Sequence, residues 1–359
     1  MIQRNLGRSL GCLTILLSCL GISEVCQATT IEWARLQDSP DTVCAAALAV
    51  ADGKLYAFGG LHANWSALNY SRVYDPATNT WSSASPMPVA RSSGGCGVLA
   101  APGGQKEIYF VGGCDASGSQ NQWVGRYLPA TNTWENVAPL PEARGTLAGT
   151  AVVNNQLYVM GGSHWAEPLG QPMIRFNTNQ VYDRSSNTWI NKTPVPEKIR
   201  CPITAVWDDK IYLFGGDTDS AFLDTTYIYD TVTDTWTTGA DVPRSVRNDD
   251  AHLLVWDNRI YLMGSNVDHD SSTWPLIDVY DPEMDTWSST DAYPGGNSLN
   301  PQVIADGNRV YVLGNNWYQG ASTSKQLWVG EIVPEPASLS LLAFGGLAVM
   351  RRKRGGTRL

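Results

Sequence analysis

Apolar residues in this chain gather in short runs that end at glycine, proline, aspartate or asparagine, and helix signals are scarce. The run Ala45–Val50 stops at Asp52-Gly53, a pair suited to a tight hairpin because both central residues tolerate positive φ. The run Lys54–Phe58 follows and ends on Gly59-Gly60. Two such runs bounded by turn residues predict an antiparallel hairpin. The second run recurs. An Ile/Leu-Tyr-x-x-Gly-Gly pattern occupies Leu55–Gly60, Ile108–Gly113, Leu157–Gly162 and Ile211–Gly216, with variants at Ile260–Ser265 and Val310–Asn315. Its last position advances by 53, 49, 54, 49 and 50 residues, a period near 50. A period of that size predicts supersecondary units that bury a core only by stacking on one another.

A second marker lies downstream of each glycine pair. Tyr74 and Trp81, Tyr127 and Trp134, Tyr182 and Trp189, Tyr229 and Trp236, and Tyr280 and Trp287 are each seven positions apart, across turns such as Asp75-Pro76-Ala77-Thr78-Asn79. Proline sets its own φ in such a turn, and the two rings supply large apolar area for packing between units. Each unit reads as four strands: a (Ala45–Val50 in the first unit), b (Lys54–Phe58), c ending at Tyr74 and d beginning near Trp81. The sixth unit has strands a and b, and Leu327–Val329 fits strand c, but no Tyr-to-Trp segment follows. The missing strand stands at the other end of the chain, as Ile31–Leu36 around Trp33. We expect it to complete the last sheet and cover an edge that would otherwise be exposed. Paired glycines after an apolar strand, then Tyr and Trp at fixed spacing, resemble Kelch repeats across residues 31–333. The resemblance implies an all-β fold: a six-bladed Kelch-type β-propeller with four-stranded antiparallel blades, the N-terminal strand closing the last blade.

Charge and the chain ends bear on location. The formal charge is −9, yet residues 29–333 hold 18 Lys+Arg against 32 Asp+Glu, so the ends are basic and the body acidic. An acidic body argues against nucleic acid as a partner, since phosphates need a basic face. Residues 1–28 have the form of a signal peptide: Arg4 and Arg8, an apolar stretch Leu10–Ile22, and a small-residue cleavage site at Cys26-Gln27-Ala28. An uncleaved anchor is the alternative, and Leu16-Leu17-Ser18-Cys19 faintly resembles a lipoprotein acylation site. Residues 334–359 form a tail: Pro334-Glu335-Pro336, an apolar stretch Ala337–Met350, and Arg351-Arg352-Lys353-Arg354. As a helix, Ser338–Met350 would span about 20 Å against a hydrocarbon core of about 30 Å, so length alone makes a marginal membrane segment. The order of features resembles the PEP-CTERM sorting signal of Gram-negative bacteria. That resemblance implies an exosortase as partner, membrane attachment through the tail before processing, and a destination in the cell envelope, at the surface or outside the cell. Proteins with this signal are associated with biofilm and exopolysaccharide production.

Strand direction locates a candidate site. In a four-stranded meander, strand a leaves one face of the ring and strand b returns to it, so the loops before a and after b share that face. Arg91, Arg144, Arg200 and Arg247 sit just before strand a in four successive units. The segments after the glycine pairs carry His62, Trp65, His164, Trp165, Asp217, Asp219, Asp268, His269, Trp317 and Tyr318. Of 14 tryptophans, Trp33 and the five repeat residues are structural, whereas Trp65, Trp123, Trp165, Trp274 and Trp317 lie between strands b and c with no role in the repeat. Aromatic faces beside Arg, Asp and His suit a sugar, whose C–H faces pack on rings while its hydroxyls bond polar groups. An arginine ring would favour acidic sugars. The same arginines and rings also have an ordinary packing role in Kelch repeats. No metal, cofactor or nucleophile motif stands out, and the paired aspartates lack the ligand pattern of an EF-hand. Cys96 and Cys114 flank one hairpin of the second unit and are candidates for a disulfide. We therefore expect an exported binding module for carbohydrate, such as an exopolysaccharide, or for a matrix protein. A sugar-modifying enzyme resembling the sialic-acid mutarotases, which are also Kelch propellers, and a purely structural envelope protein are the alternatives.

Overall fold

The computed structural model describes residues 30–41, 45–62, 66–115, 122–144, 148–165, 173–246, 251–256, 258–264, 277–290, 302–313 and 325–333. Six four-stranded antiparallel sheets form the blades. Blade 1 comprises Ala47–Ala51, Lys54–Phe58, Ser71–Asp75 and Thr80–Ser83. Blade 2 comprises Gly95–Ala100, Lys106–Val111, Val124–Leu128 and Thr133–Asn136. Blade 3 comprises Gly149–Val153, Gln156–Met160, Asn179–Asp183 and Thr188–Lys192. Blade 4 comprises Ile203–Trp207, Lys210–Phe214, Thr226–Asp230 and Thr235–Gly239. Blade 5 comprises Ala251–Trp256, Arg259–Gly264, Ile277–Asp281 and Thr286–Thr290. Strand a of blade 1 starts at Ala47 rather than Ala45, because Ala45 takes a positive φ of 53° and ends the connector.

Blade 6 is assembled from both ends of the chain. Its strands run Gln302–Asp306, Arg309–Leu313, Leu327–Val333 and then Thr30–Arg35 at the outer edge. The Leu36 N–H donates to the Leu327 carbonyl at 2.9 Å, and the Arg35 guanidinium lies 5.9 Å from the centre of the Trp328 ring. The expected closure by the first strand is thus present. Trp33–Val329 is one compact unit, and Thr30–Glu32 and Gly330–Val333 are the described parts of a second.

Strand a of each blade packs beside strand a of the next, from blade 1 round to blade 6 and back to blade 1. Small residues permit this approach: a Cβ on Gly95 would lie 2.1 Å from Thr150 Oγ1. Outside this ring the core consists of cells between blades. One holds Tyr56, Phe58, Met87, Ile108, Phe110 and Tyr127, and the cell between blades 6 and 1 holds Leu55, Tyr74, Tyr311, Leu313 and Leu327.

Both sequence markers are devices for joining blades. The repeat Tyr and Trp face each other across the c–d hairpin in all five copies, with ring centroids 4.9–5.3 Å apart. Between them sits an Asn or Asp in left-handed conformation: Asn79, Asn132, Asn187, Asp234 and Asp285, with φ of 53–57°. Each accepts the hydroxyl of its own tyrosine, as in Tyr127 to Asn132 at 2.8 Å. Each also accepts a backbone N–H from the chain leaving the preceding blade: Gln37, Ser85, Ala138, Thr193 and Ala240. The tryptophan indole donates to the carbonyl of that same residue at 2.9–3.0 Å. The glycine pair secures the other side of the connection. The second glycine donates to a carbonyl of the incoming connector, as in Gly113 to Arg144 at 3.1 Å and Gly216 to Val246 at 2.7 Å. The first glycine must lack a side chain, since a Cβ on Gly215 would sit 2.2 Å from that Val246 oxygen.

A buried ion cluster adds a charged tie between blades 2 and 3. Glu107 accepts from Arg184 at 2.8 and 2.7 Å and from the Tyr109 hydroxyl at 2.9 Å. Burial raises the Glu107 pKa, but these donors and Arg126 lower it more, so the carboxylate stays below its ordinary range.

Candidate functional site

The connectors before strand a and the segments after strand b lie on one face, and the described part of it is richest around blades 3 and 4. Blade 3 carries a short ribbon there, Ser163–Trp165 paired with Met173–Arg175, which the sequence pattern did not mark. His164 lies opposite Ile174 in this ribbon, its ring 5.8 Å from Phe176. Trp165 lies opposite Met173 in the backbone register. His62 is exposed and donates its backbone N–H to the Ser66 carbonyl at 3.0 Å. Trp65, Arg247, Asp268, His269, Trp317 and Tyr318, together with Pro334, Glu335 and Pro336 of the tail, lie outside the described residues.

The described arginines before strand a, Arg91, Arg144 and Arg200, do not form an open ring. Arg144 is 2% exposed. Its Nη1 donates to the Gly161 carbonyl at 2.9 Å, and its Nη2 donates to Gln180 Oε1 at 2.7 Å, to Glu142 Oε2 at 3.0 Å and to the Thr178 hydroxyl. The ring of Phe176 caps the guanidinium at 5.6 Å. Burial pulls the Arg144 pKa below its ordinary value, with Glu142 opposing. Arg144 thus ties the connector to strands b and c of its own blade. Arg200 is joined to Asp217 twice, through paired backbone bonds of 2.9 Å and through its side chain, Nε to Oδ1 at 2.8 Å. Arg91 is buried, with Nη1 3.9 Å from Asp115 Oδ2, and burial lowers its pKa.

A related pairing recurs two positions before the repeat tyrosine, where strand c presents a different polar residue in each of blades 1, 3, 4 and 5. Arg72 bonds Asp41 at 2.6 Å, Gln180 bonds Arg144, the Tyr227 hydroxyl bonds Glu197, and Asp278 pairs with Arg244 at 2.6 Å. Every partner comes from the connector leading into the same blade. In blade 2 this position is Gly125, and the Trp123 ring takes up the space, packed on Phe110 and Trp134 with its indole N–H on Asn136 at 2.8 Å. Trp123, unassigned in the sequence pattern, is therefore a packing residue. Sequence reasoning missed these strand-c partners because their identities change from blade to blade. The fixed offset from tyrosine was the available signal.

Asp217 is the centre of the polar cluster between blades 3 and 4. It is 4% exposed and receives Arg200 from one side and Arg175 Nη2 from the other at 3.4 Å. Arg175 Nη1 also binds Asp219, whose side chain is 70% exposed. Asp217 pairs with Phe222 across a tight turn closed by Thr218 N–H to the Ala221 carbonyl at 2.9 Å. Cys96 and Cys114 are thiols rather than a disulfide. Burial pushes the Cys96 pKa up and that of Cys114 to about 11, so neither has the thiolate character of a reactive cysteine. Among the described residues no cluster of His, Cys, Asp and Glu has the geometry to hold a metal ion.

The KLHDC2/KLHL20/DRC7 Kelch-repeats domain matches residues 100–315, a Kelch motif matches 43–88, and a PEP-CTERM protein-sorting motif matches 333–354. The chain is similar to Kelch-like protein terF of Aspergillus terreus, with 27% identity over 51% of this chain and 52% of that protein. It is similar to Kelch-like protein 25 of Xenopus tropicalis, with 29% identity over 67% of this chain and 39% of that protein. Beta-scruin of Limulus polyphemus is 28% identical over 46% of this chain and 18% of its own length. The chain thus spans about half or less of these curated relatives. Among solved structures, that titled "Structure of YjhT" superposes with a TM-score of 0.64 at 15% identity, covering 81% of this chain and 95% of that one, a likeness of fold. The PEP-CTERM motif indicates export, processing by an exosortase, and surface or envelope association in Gram-negative bacteria.

Proposed function

Because the chain belongs to the Kelch-repeat family, whose domains are protein-interaction modules, we propose that it is an exported binding module of the bacterial envelope or surface that recognises carbohydrate, with a matrix protein as the second class of partner. The observation that carries the carbohydrate reading is the cluster on the connector face of blades 3 and 4: Asp217, Asp219 and a half-exposed aromatic ring on one short turn, with Arg175 from the blade 3 ribbon bonded to both aspartates. Sugars are held by that combination of planar apolar faces and fixed polar groups. Of the described residues predicted from sequence, His62, His164, Trp165, Asp217 and Asp219 belong to this reading. Arg144 and Arg200 serve it indirectly, by fixing the loops. The export signal at residues 1–28, the propeller at 29–333 and the sorting tail at 334–359 are the domain boundaries we propose.

Screening the purified full-length protein on a glycan array that includes extracellular bacterial polysaccharides tests this reading. Retention of a defined glycan subset is the expected result. Uniform absence of binding, with retention of a matrix protein in a pull-down, would replace carbohydrate by protein as the partner.

A further inference from the structure

We propose that the Asp217–Phe222 turn of blade 4, with Arg175 from the blade 3 ribbon, is a subsite for a neutral hexopyranose unit of a polysaccharide, with Phe222 as the surface on which the sugar stacks. The inference deepens the carbohydrate reading above and rests on it. Phe222 is 48% exposed, more than any other Phe, Tyr or Trp whose side-chain exposure is described. A half-exposed ring on the turn that also carries Asp217 and Asp219 offers apolar area to the C–H face of a sugar.

The turn that presents the ring is already ordered. Asp217 exchanges backbone bonds with Arg200 on one side and pairs with Phe222 on the other. The Ala221 N–H donates to Thr218 Oγ1 at 3.1 Å, and the Leu223 N–H donates to the Gly216 carbonyl at 2.9 Å. A ligand therefore meets a preformed surface and orders little of it on binding.

Charge selects the class of sugar. The cluster holds two guanidinium groups, Arg175 and Arg200, and two carboxylates, Asp217 and Asp219, each carboxylate bonded to at least one arginine. No net positive charge is left over for a carboxylate ligand. An acidic sugar would have to take Arg175 from Asp219 while facing both aspartates at close range, which like-charge repulsion opposes. A neutral sugar meets no such cost, and the exposed Asp219 carboxylate can accept its hydroxyl groups while still bonded to Arg175. At this subsite the preference for acidic sugars expected from a ring of arginines gives way to one for neutral sugars, because Arg175 and Arg200 are paired with carboxylates of the protein.

Affinity electrophoresis of the full-length protein through gels containing a soluble neutral glucan or galactomannan, and through gels containing alginate or polygalacturonate, tests the proposal. The wild type should be retarded by a neutral polymer and not by the acidic ones. Phe222→Ala should weaken retention by roughly tenfold, the equivalent of ~1.4 kcal/mol. Phe222→Tyr, which keeps the ring, should retain it, as should Met284→Ala, an exposed residue in a c–d turn. Retention of Phe222→Ala equal to wild type would refute the location while leaving carbohydrate binding intact. Retardation by the acidic polymers alone would refute the charge argument. Absence of retardation in every gel, with the proteins folded by near-UV circular dichroism, would overturn both this proposal and the reading beneath it.

Discussion

Asn132 offers the sharpest test of how the blades are joined. Its side chain accepts the Tyr127 hydroxyl at 2.8 Å and the Ser85 N–H of the preceding blade at 2.7 Å, and its φ is 55°. Asn132→Ala removes both bonds, each with a net value of about 1 kcal/mol, and leaves the hydroxyl of a tyrosine that is 2% exposed without its acceptor. It also places a Cβ-bearing residue with no compensating local bond in the left-handed region, at a further cost of about 1 kcal/mol. The total is about 3 kcal/mol. Asn132→Gly loses the bonds but not the conformational freedom, so about 2 kcal/mol is expected. Asn132→Asp should be near neutral, because Asp234 and Asp285 make the same pair of bonds in blades 4 and 5. Urea unfolding of the four proteins, followed by tryptophan fluorescence, gives the order: wild type and Asp together, then Gly, then Ala. Equal midpoints for Ala and Asp would refute the view that this side chain joins the blades.

Other expectations follow from the same geometry. Gly215→Ala should destabilise by more than ~2 kcal/mol, since the residue has a φ of +59° and the new Cβ would overlap the Val246 carbonyl oxygen; a thermal shift under 2 °C would contradict this. Arg144→Met should lower the melting temperature strongly by leaving the Gly161 carbonyl and Gln180 without their donor, whereas a ligand-contact role alone would leave it unchanged. For acid stability the sign is set by depressed carboxylates. Hydrogen bonds from Ser185 and Ser186 draw Asp183 to about 2, and Asp75, Asp230, Asp234 and Glu107 are also lowered. Their contribution is complete above the unfolded carboxylate range near pH 4 and is lost as pH falls through the lowered values, so melting temperature should drop between about pH 4 and pH 2. Constant stability across that window would refute the assignment.

Much of the architecture is carried by local hairpins and was therefore legible. Lys54–Phe58 has the bounds its pattern predicts, Tyr74 marks the end of strand c and Trp81 the start of strand d, and the missing sixth c–d hairpin points to Trp33. The bonds made by those markers were not legible. Asn132 and Ser85 are 47 residues apart, and no local rule pairs them. The arginines misled for a related reason. Their position before strand a implies a shared face, but Arg144 turns inward to Gln180, 36 residues away. Phe222 escaped notice because it belongs to no repeat position, which is also why its exposure is informative.

Hydrogen–deuterium exchange of the full-length protein with and without a polysaccharide that retards it tests most directly whether the connector face is the recognition surface. Slowed exchange is expected in residues 163–165, 173–176 and 217–223, with the c–d turns at 75–80, 183–188 and 230–235 unchanged. Protection confined to those turns would place recognition on the opposite face and contradict it.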